Sequence, residues 1–328
     1  MAVTMAEIQK LRAMTGAGMM DCKKALEEAN SDMEKAIELI RKRGQAIAAK
    51  RSDRQASEGC VLAARDKDFA AIVALCCETD FVATNAEFVG LTKQILACAM
   101  ASRPENKEVL LNTLIDGRAV KDLITDKSGV TGEKMELGYY EFVKGNSVDS
   151  YIHPGNKLAT IVAFGEKDAD ETAGHEIAMQ IAAMNPVAID AASVPQEVKD
   201  RELSIALEKT KTEQVHKAVE VALKKAGINP AHVDSEDHIE SNMAKGWISA
   251  EDAAKAREII KTVSEEKAAN LPEQMIEKIA QGRLAKFFKE STLMEQEFIM
   301  DNTQTVGQYA KAHNVTPIAF KRVTLNQD

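Results

Sequence analysis

Phe69-Ala70-Ala71-Ile72-Val73-Ala74-Leu75-Cys76-Cys77 is an apolar run that passes straight into Glu78-Thr79-Asp80-Phe81-Val82. A shorter apolar stretch, residues 60–64, precedes it. Asp66, Lys67 and Asp68 between the two have turn character, which predicts a β-hairpin. A helix is expected to start over residues 84–87, with Phe88, Leu91, Ile95 and Cys98 on one face, and to end before Pro104. Residues 79–82 therefore hold a large aromatic at the tip of a strand-to-helix connection. Such turns lie at the surface because their backbone groups need water or a partner, and a phenylalanine is costly to expose there. Phe81 either folds back onto its own core or enters another molecule.

The same plan recurs downstream. Residues 134–143, 147–152 and 157–164 read as strands, and a helix from about Asp170 ends at Pro186. Aligning Ala71-Ile72-Val73-Ala74-Leu75 with Thr160-Ile161-Val162-Ala163-Phe164 brings the two helices into register with one gap. It pairs Ile95 with Ile177, Ala101 with Ala183 and Pro104 with Pro186. The first copy is seven residues longer, and residues 79–85 number seven. The strand-tip element is thus read as an addition without which the second copy manages.

On the N-terminal side, Thr4 with Glu7 makes a capping-box signature, and Ile8, Leu11 and Met14 lie near one face of the helix that follows. Gly16 and Gly18 break it. Cys22, Ala25, Leu26 and Ala29 recur at helical spacing, Ser31 with Glu34 caps again, and Met33, Ala36, Ile37 and Ile40 repeat the pattern up to Gly44. A three-helix domain is expected, followed over residues 45–57 by a basic tether containing Lys50, Arg51 and Arg54, for whose charge solvation alone is a sufficient reading. Beyond Pro195 the chain turns helical: Val215, Ala218, Val219 and Ala222 form a stripe that stops at Gly227, Asn229 and Pro230. Further helices start after Ser249 and at Pro272. A short helix over residues 305–312 and a last strand over residues 318–325 complete the pattern. The expected fold is α+β, with a three-helix domain and basic linker (1–55), a first core subdomain (56–133), a second (134–195 and 272–328) and a helical insertion (196–271). The insertion reads equally as an antiparallel protrusion or a dimer contact.

The 328 residues, 45% apolar, suffice for a sizeable core and two or three domains. No apolar stretch approaches the roughly 18 residues that span a bilayer, and residues 1–10 lack the apolar segment of a secretory signal, so a cytoplasmic location without membrane contact is expected. The 51 acidic and 42 basic residues leave a net charge of −9, which argues against direct nucleic-acid binding and for protein partners. Cys22, Cys60, Cys76, Cys77 and Cys98 show no metal-ligand spacing and read as reduced and buried; neither metal nor cofactor is expected. Cys76 and Cys77 lack a base motif that would make either a nucleophile. Gly16 and Gly18 lack the Lys-Ser/Thr of a phosphate loop, and a helix-helix turn explains them. His153 reads as a strand-end hydrogen-bonding residue.

Several motifs together resemble the bacterial-type elongation factor Ts family. Leu11-Arg12 and Thr15-Gly16-Ala17-Gly18-Met19-Met20-Asp21-Cys22-Lys23-Lys24-Ala25-Leu26 are similar to its N-terminal signature, and Thr79-Asp80-Phe81-Val82-Ala83 to its second. Tyr151-Ile152-His153, Gly282-Arg283-Leu284 with Lys286-Phe287, and Thr305-Val306-Gly307-Gln308 match in the family's order, while residues 199–270 match weakly. The resemblance implies a guanine nucleotide exchange factor for elongation factor Tu in translation, acting by protein binding without covalent chemistry. It also implies a ubiquitin-associated-like N-terminal domain, and a homodimer or two-to-two complex stays open. By position, Thr79, Asp80, Phe81 and Val82 form the element that dislocates Mg²⁺ from the partner, and Arg12, Met19 and Met20 are partner contacts. Family members often carry His after Ala-Met in the second core helix; here the sequence is Ala178-Met179-Gln180, so Gln180 takes that partner-facing position. A C-terminal helix found in some members is not expected before Asp328. A passive adaptor and a thiol enzyme are the competing classes.

Overall fold

The computed structural model describes residues 3–326. Helix α1 (Met5–Thr15) begins with the capping box that Thr4 and Glu7 predict and ends at Gly16, which adopts the left-handed region (φ 69°) and donates its N–H to the Arg12 carbonyl. Helices α2 (Met19–Glu28) and α3 (Met33–Lys50) follow. The cap of α3 is Asp32, one residue beyond the Ser31 that spacing suggests; Ser31 instead sits in a left-handed turn at φ 64°. Ile8, Leu11, Cys22, Ala25, Leu26 and Ala36 form the core of these three helices.

Strands β1 (Glu58–Asp66) and β2 (Phe69–Cys77) pair antiparallel with Asp66 opposite Phe69, leaving Lys67 and Asp68 as the turn of the expected hairpin. Then come α4 (Asp80–Ala83), α5 (Ala86–Ser102), α6 (Lys107–Asn112), the two-residue strands β3 (Leu114–Ile115) and β4 (Arg118–Ala119), α7 (Val120–Thr131) and β5 (Glu136–Lys144). The sequence reading places β5 at the start of the second core subdomain. It pairs instead with β2, closing a first sheet of order β1-β2-β5. Pairing partners are chosen by tertiary contacts, and the local pattern of a strand does not name them.

Strands β6 (Ser147–Ile152) and β7 (Leu158–Phe164) and helix α8 (Glu171–Met184) repeat the hairpin-helix plan. The chain then forms α9 (Gln196–Lys225), a 3-10 turn (Pro230–His232), α10 (Glu236–Ala244), α11 (Ala250–Ala269) and α12 (Glu273–Ser291). It returns as β8 (Glu297–Phe298), β9 (Asp301–Thr305), α13 (Val306–Ala312) and β10 (Pro317–Thr324). Strand β10 pairs with β7, giving a second all-antiparallel sheet of order β10-β7-β6. In both copies a hairpin is followed by a helix, and a third strand returns to the free edge of the hairpin's second strand. The helices also end alike: Arg103 (φ 45°) before Pro104 and Asn185 (φ 43°) before Pro186 are left-handed caps that donate to the carbonyl four residues back.

Side chains alternate along β2, so its two faces meet different layers. Phe69, Ala71, Val73, Leu75 and Cys77 pack with Phe88, Leu91, Ile95 and Ala99 of α5. Ala70, Ile72 and Ala74 pack with Ala159, Ile161 and Ala163 of the second sheet. By its contacts the chain divides into two compact units, one made of the chain up to Ile189 with the stretch from Gln296, the other of Asp190–Glu295. The second unit has its own core of Val219, Leu223, Ile228, Val233, Ile239, Ile248, Ala253 and Ala256. Pro272, where the sequence reading returns to the core, is the N-cap of α12, which packs on α9.

Gly44 does not end α3, which runs six residues further to Lys50. Instead α3 crosses α7 with Gly44 against Gly129. A Cβ on Gly129 would lie 2.3 Å from the Gly44 Cα, whereas one on Gly44 would meet nothing nearer than 3.4 Å. Gly129→Ala is therefore expected to cost about 1–3 kcal/mol by overpacking. Gly44→Ala is expected to be neutral or to gain up to about 1 kcal/mol through helix propensity. Urea unfolding of the two variants checks this, and equal losses would contradict the crossing geometry.

Candidate functional site

The connection from β2 to α5 builds the site. Thr79 (φ −125°, ψ 154°) is the N-cap of the four-residue helix α4, its hydroxyl accepting the Val82 N–H. Ala83 is buried and Val82 packs on the core beside α5, so on a single turn Asp80 and Phe81 face outward. The Phe81 side chain does not fold back: it is 83% exposed. Downstream the Thr84 hydroxyl donates to the Asp80 carbonyl (3.0 Å) and the Asn85 side chain caps α5 through the Glu87 N–H (2.8 Å). The second copy's connection, residues 165–170, forms no such helix. The excess length of the first copy is spread over the strand end, the connection and the helix start, so it is not confined to residues 79–85.

Two carboxylates hold the base of this turn. Glu133 accepts the N–H groups of Glu78 and Thr79 (both 3.1 Å) and the Thr79 hydroxyl proton (2.6 Å). Glu78 in return accepts the Lys134 N–H (2.6 Å) and pairs with Arg54 (2.8 Å) and Arg51 (3.2 Å). Arg51 and Arg54, read from sequence as solvating charges, are thus structural ligands of the residue preceding Thr79. The Lys134 N–H, followed by Arg54, holds the Glu78 carboxyl down at about 2.

Of the other sequence-predicted residues, Arg12, Met19 and Met20 are all exposed, Met20 to 64%. Arg12 lies near enough to Glu87, at the start of α5, to help lower its carboxyl pKa, behind the larger effect of Lys127. The α1–α2 turn, including Met14, Gly16 and Gly18, and the first residues of α5 line one cavity of about 730 Å³. The N-terminal turn and the first turns of α5 therefore open on the same cavity.

Gln180 is a correction. It is fully buried: its amide nitrogen donates to the Gln296 side chain and the Glu297 carbonyl (both 3.1 Å), and its oxygen accepts the Ile299 N–H (2.8 Å). Residues 296–299 cover the position, and it clamps them to α8 instead of facing a partner. His153 directly follows β6, donating its N–H to the Leu158 carbonyl (2.9 Å), with Nδ1 3.0 Å from the Tyr151 hydroxyl. Burial pushes the Cys76 thiol up to about 11 and the Cys77 thiol up to about 12, conditions opposite to those of a nucleophile. Among the described residues no three His, Cys, Asp or Glu side chains gather as metal ligands, and no helix is long and apolar enough to cross a membrane.

A family model described as "Elongation factor TS" matches residues 78–226 and 208–327. The chain is similar to the elongation factor Ts of Phocaeicola vulgatus, 62% identical over 331 residues. It is also similar to those of Porphyromonas gingivalis, 50% identical, and Azobacteroides pseudotrichonymphae, 39% identical. In each case all of both chains is covered. The likeness runs through residues 199–270, where the motifs quoted above are sparse.

The depressed Glu78 pKa fixes the sign of a pH effect. The group stabilises the fold fully above its unfolded value near 4.5, and that contribution is lost as pH falls toward about 2. Glu78→Gln is expected to cost about 1–3 kcal/mol at pH 7. The gap from the unsubstituted protein, measured by thermal or urea unfolding, is expected to close between pH 5 and pH 2. A gap independent of pH would show that the Glu78 charge contributes nothing.

Proposed function

The chain belongs to the elongation factor Ts family, and from that premise we propose that it is a guanine nucleotide exchange factor in translation elongation. It binds elongation factor Tu carrying GDP, disturbs the Mg²⁺ and phosphate site, releases GDP and stays bound until GTP displaces it. Phe81 carries this reading: a large aromatic held in water on a braced helical turn stabilises nothing in its own chain. Burying it in a partner contributes roughly 1.5–3 kcal/mol toward displacing a partner segment.

No covalent chemistry is required. A GTPase holds GDP largely through phosphate contacts and a bridging Mg²⁺. A factor that binds the nucleotide-free state more tightly must, by linkage, be weakened by nucleotide to the same degree. Asp80, which makes no hydrogen bond or ion pair through its carboxylate among the described residues, supplies negative charge beside the phosphates. One carboxylate is too few ligands to extract Mg²⁺, which demands near-octahedral oxygen coordination, so displacement is indirect. Thr79 caps the element and Val82 anchors it. Arg12, Met19 and Met20 extend the contact over the three-helix domain, which we assign as ubiquitin-associated-like.

Phe81→Ala is expected to slow GDP release by roughly ten- to hundredfold at saturating factor, with a smaller change in partner binding. Stopped-flow release of fluorescent GDP from elongation factor Tu measures both. Release at the normal rate by the variant would refute the wedge.

A further inference from the structure

Helix α4 has four residues, too few to sustain a helix by propensity, so its geometry is imposed by its anchors. The anchor on its N-terminal side is Thr79, and both hydrogen-bond donors of Thr79, its N–H and its hydroxyl, go to one side chain. The Glu133 carboxylate takes the Thr79 N–H and hydroxyl with one oxygen each, and the oxygen on the N–H also takes the Glu78 N–H. Donating to Glu133 turns the Thr79 oxygen so that a lone pair is left for the Val82 N–H, which is the capping bond itself. Glu133 is fixed in turn: it follows Gly132, a left-handed cap of α7 at φ 73°, its N–H is bound by the Thr131 hydroxyl (3.3 Å) and its carbonyl by the Ser128 hydroxyl. Glu78 locks the arrangement from the other side through the Lys134 N–H, and Arg51 and Arg54 carry it to the end of α3.

We propose that Glu133 is a positioning residue for nucleotide exchange, holding Thr79 so that α4 presents Phe81 outward in a fixed direction. It acts through Phe81 and does not touch the partner nucleotide. The inference rests on the exchange reading of Phe81, and the test separates the two.

Three variants of the full-length protein are needed: Glu133→Ala, Glu133→Gln, which keeps an acceptor oxygen, and Glu133→Ala combined with Phe81→Ala. In the free protein, hydrogen exchange of the Thr79 and Val82 amides is expected to rise by about tenfold or more in Glu133→Ala. It is expected to rise much less in Glu133→Gln, with the amides of α5 and β2 unchanged in both. Glu133→Ala is expected to slow GDP release from elongation factor Tu at saturation, with little change in the half-saturating factor concentration. The double variant is expected to match Phe81→Ala within about twofold, because the two residues act as one unit. Unchanged exchange at Thr79 and Val82 overturns the proposal, as does a rise that spreads through α5 and β2. Multiplicative losses in the double variant overturn it too. A normal rate for Phe81→Ala alone would instead overturn the exchange reading, leaving the hydrogen-exchange arm to decide whether Glu133 fixes the turn.

Discussion

Strand β2 has no solvent face. All nine of its residues are buried, one face against α5 and the other against the second sheet. β7 is buried along its whole length in the same way. Small side chains on the inner faces, Ala70 and Ala74 against Ala159 and Ala163, let the two sheets approach closely, and neither copy covers its inner face alone. The rest of this unit follows from that shared layer. A segment leaving the end of such a strand leaves from a fixed point, so α4 is displayed from a platform with little freedom. Pre-organisation of this kind lowers the ordering cost of any contact that Phe81 makes.

The brace beneath α4 and the clamp at Gln180 are built from opposite chemistry. Glu78 and Glu133 are partly exposed and tied to backbone N–H groups, and Glu78 also pairs with two arginines, so its hold depends on ionisation. Gln180 is neutral and fully satisfied in the interior, where an amide with each polar atom paired carries no desolvation debt. The first fixes a segment that leads into core helix α5 and the second one that lies over core helix α8, but only the charged one lies next to an exposed aromatic.

Much of this was legible from residue pattern. The hairpin, α5, α8, the short helix after Thr305 and the capping box at Thr4 follow from period and punctuation, which are local. The repeated αL-Pro ending of the core helices accounts for the alignment of Pro104 with Pro186. What escaped was set by distant chain. Gly44 reads as a helix stop until Gly129 is seen against it. β5 belongs to the first sheet because β2 offers it an edge. Gln180 is partner-facing only by the family resemblance, and nothing in α8 announces that residues 296–299 lie over it. Glu133 gave no signal at all, since a single glutamate after Gly132 is ordinary until its three hydrogen bonds to residues 78 and 79 are traced.

The two sheets differ in how soon they can be finished. β5 returns to β2 after α5, α6 and α7, whereas Phe320 of β10 meets Val162 of β7 only after all of Asp190–Glu295 has intervened. A chain emerging from the ribosome can therefore complete its first sheet while β7 still has one bare edge. Closing so long a loop adds little to the equilibrium cost but delays the pairing. During that delay the helical unit, with a core of its own, can fold by itself, and β7, apolar but for Thr160, is the strand most open to mispairing with another nascent chain.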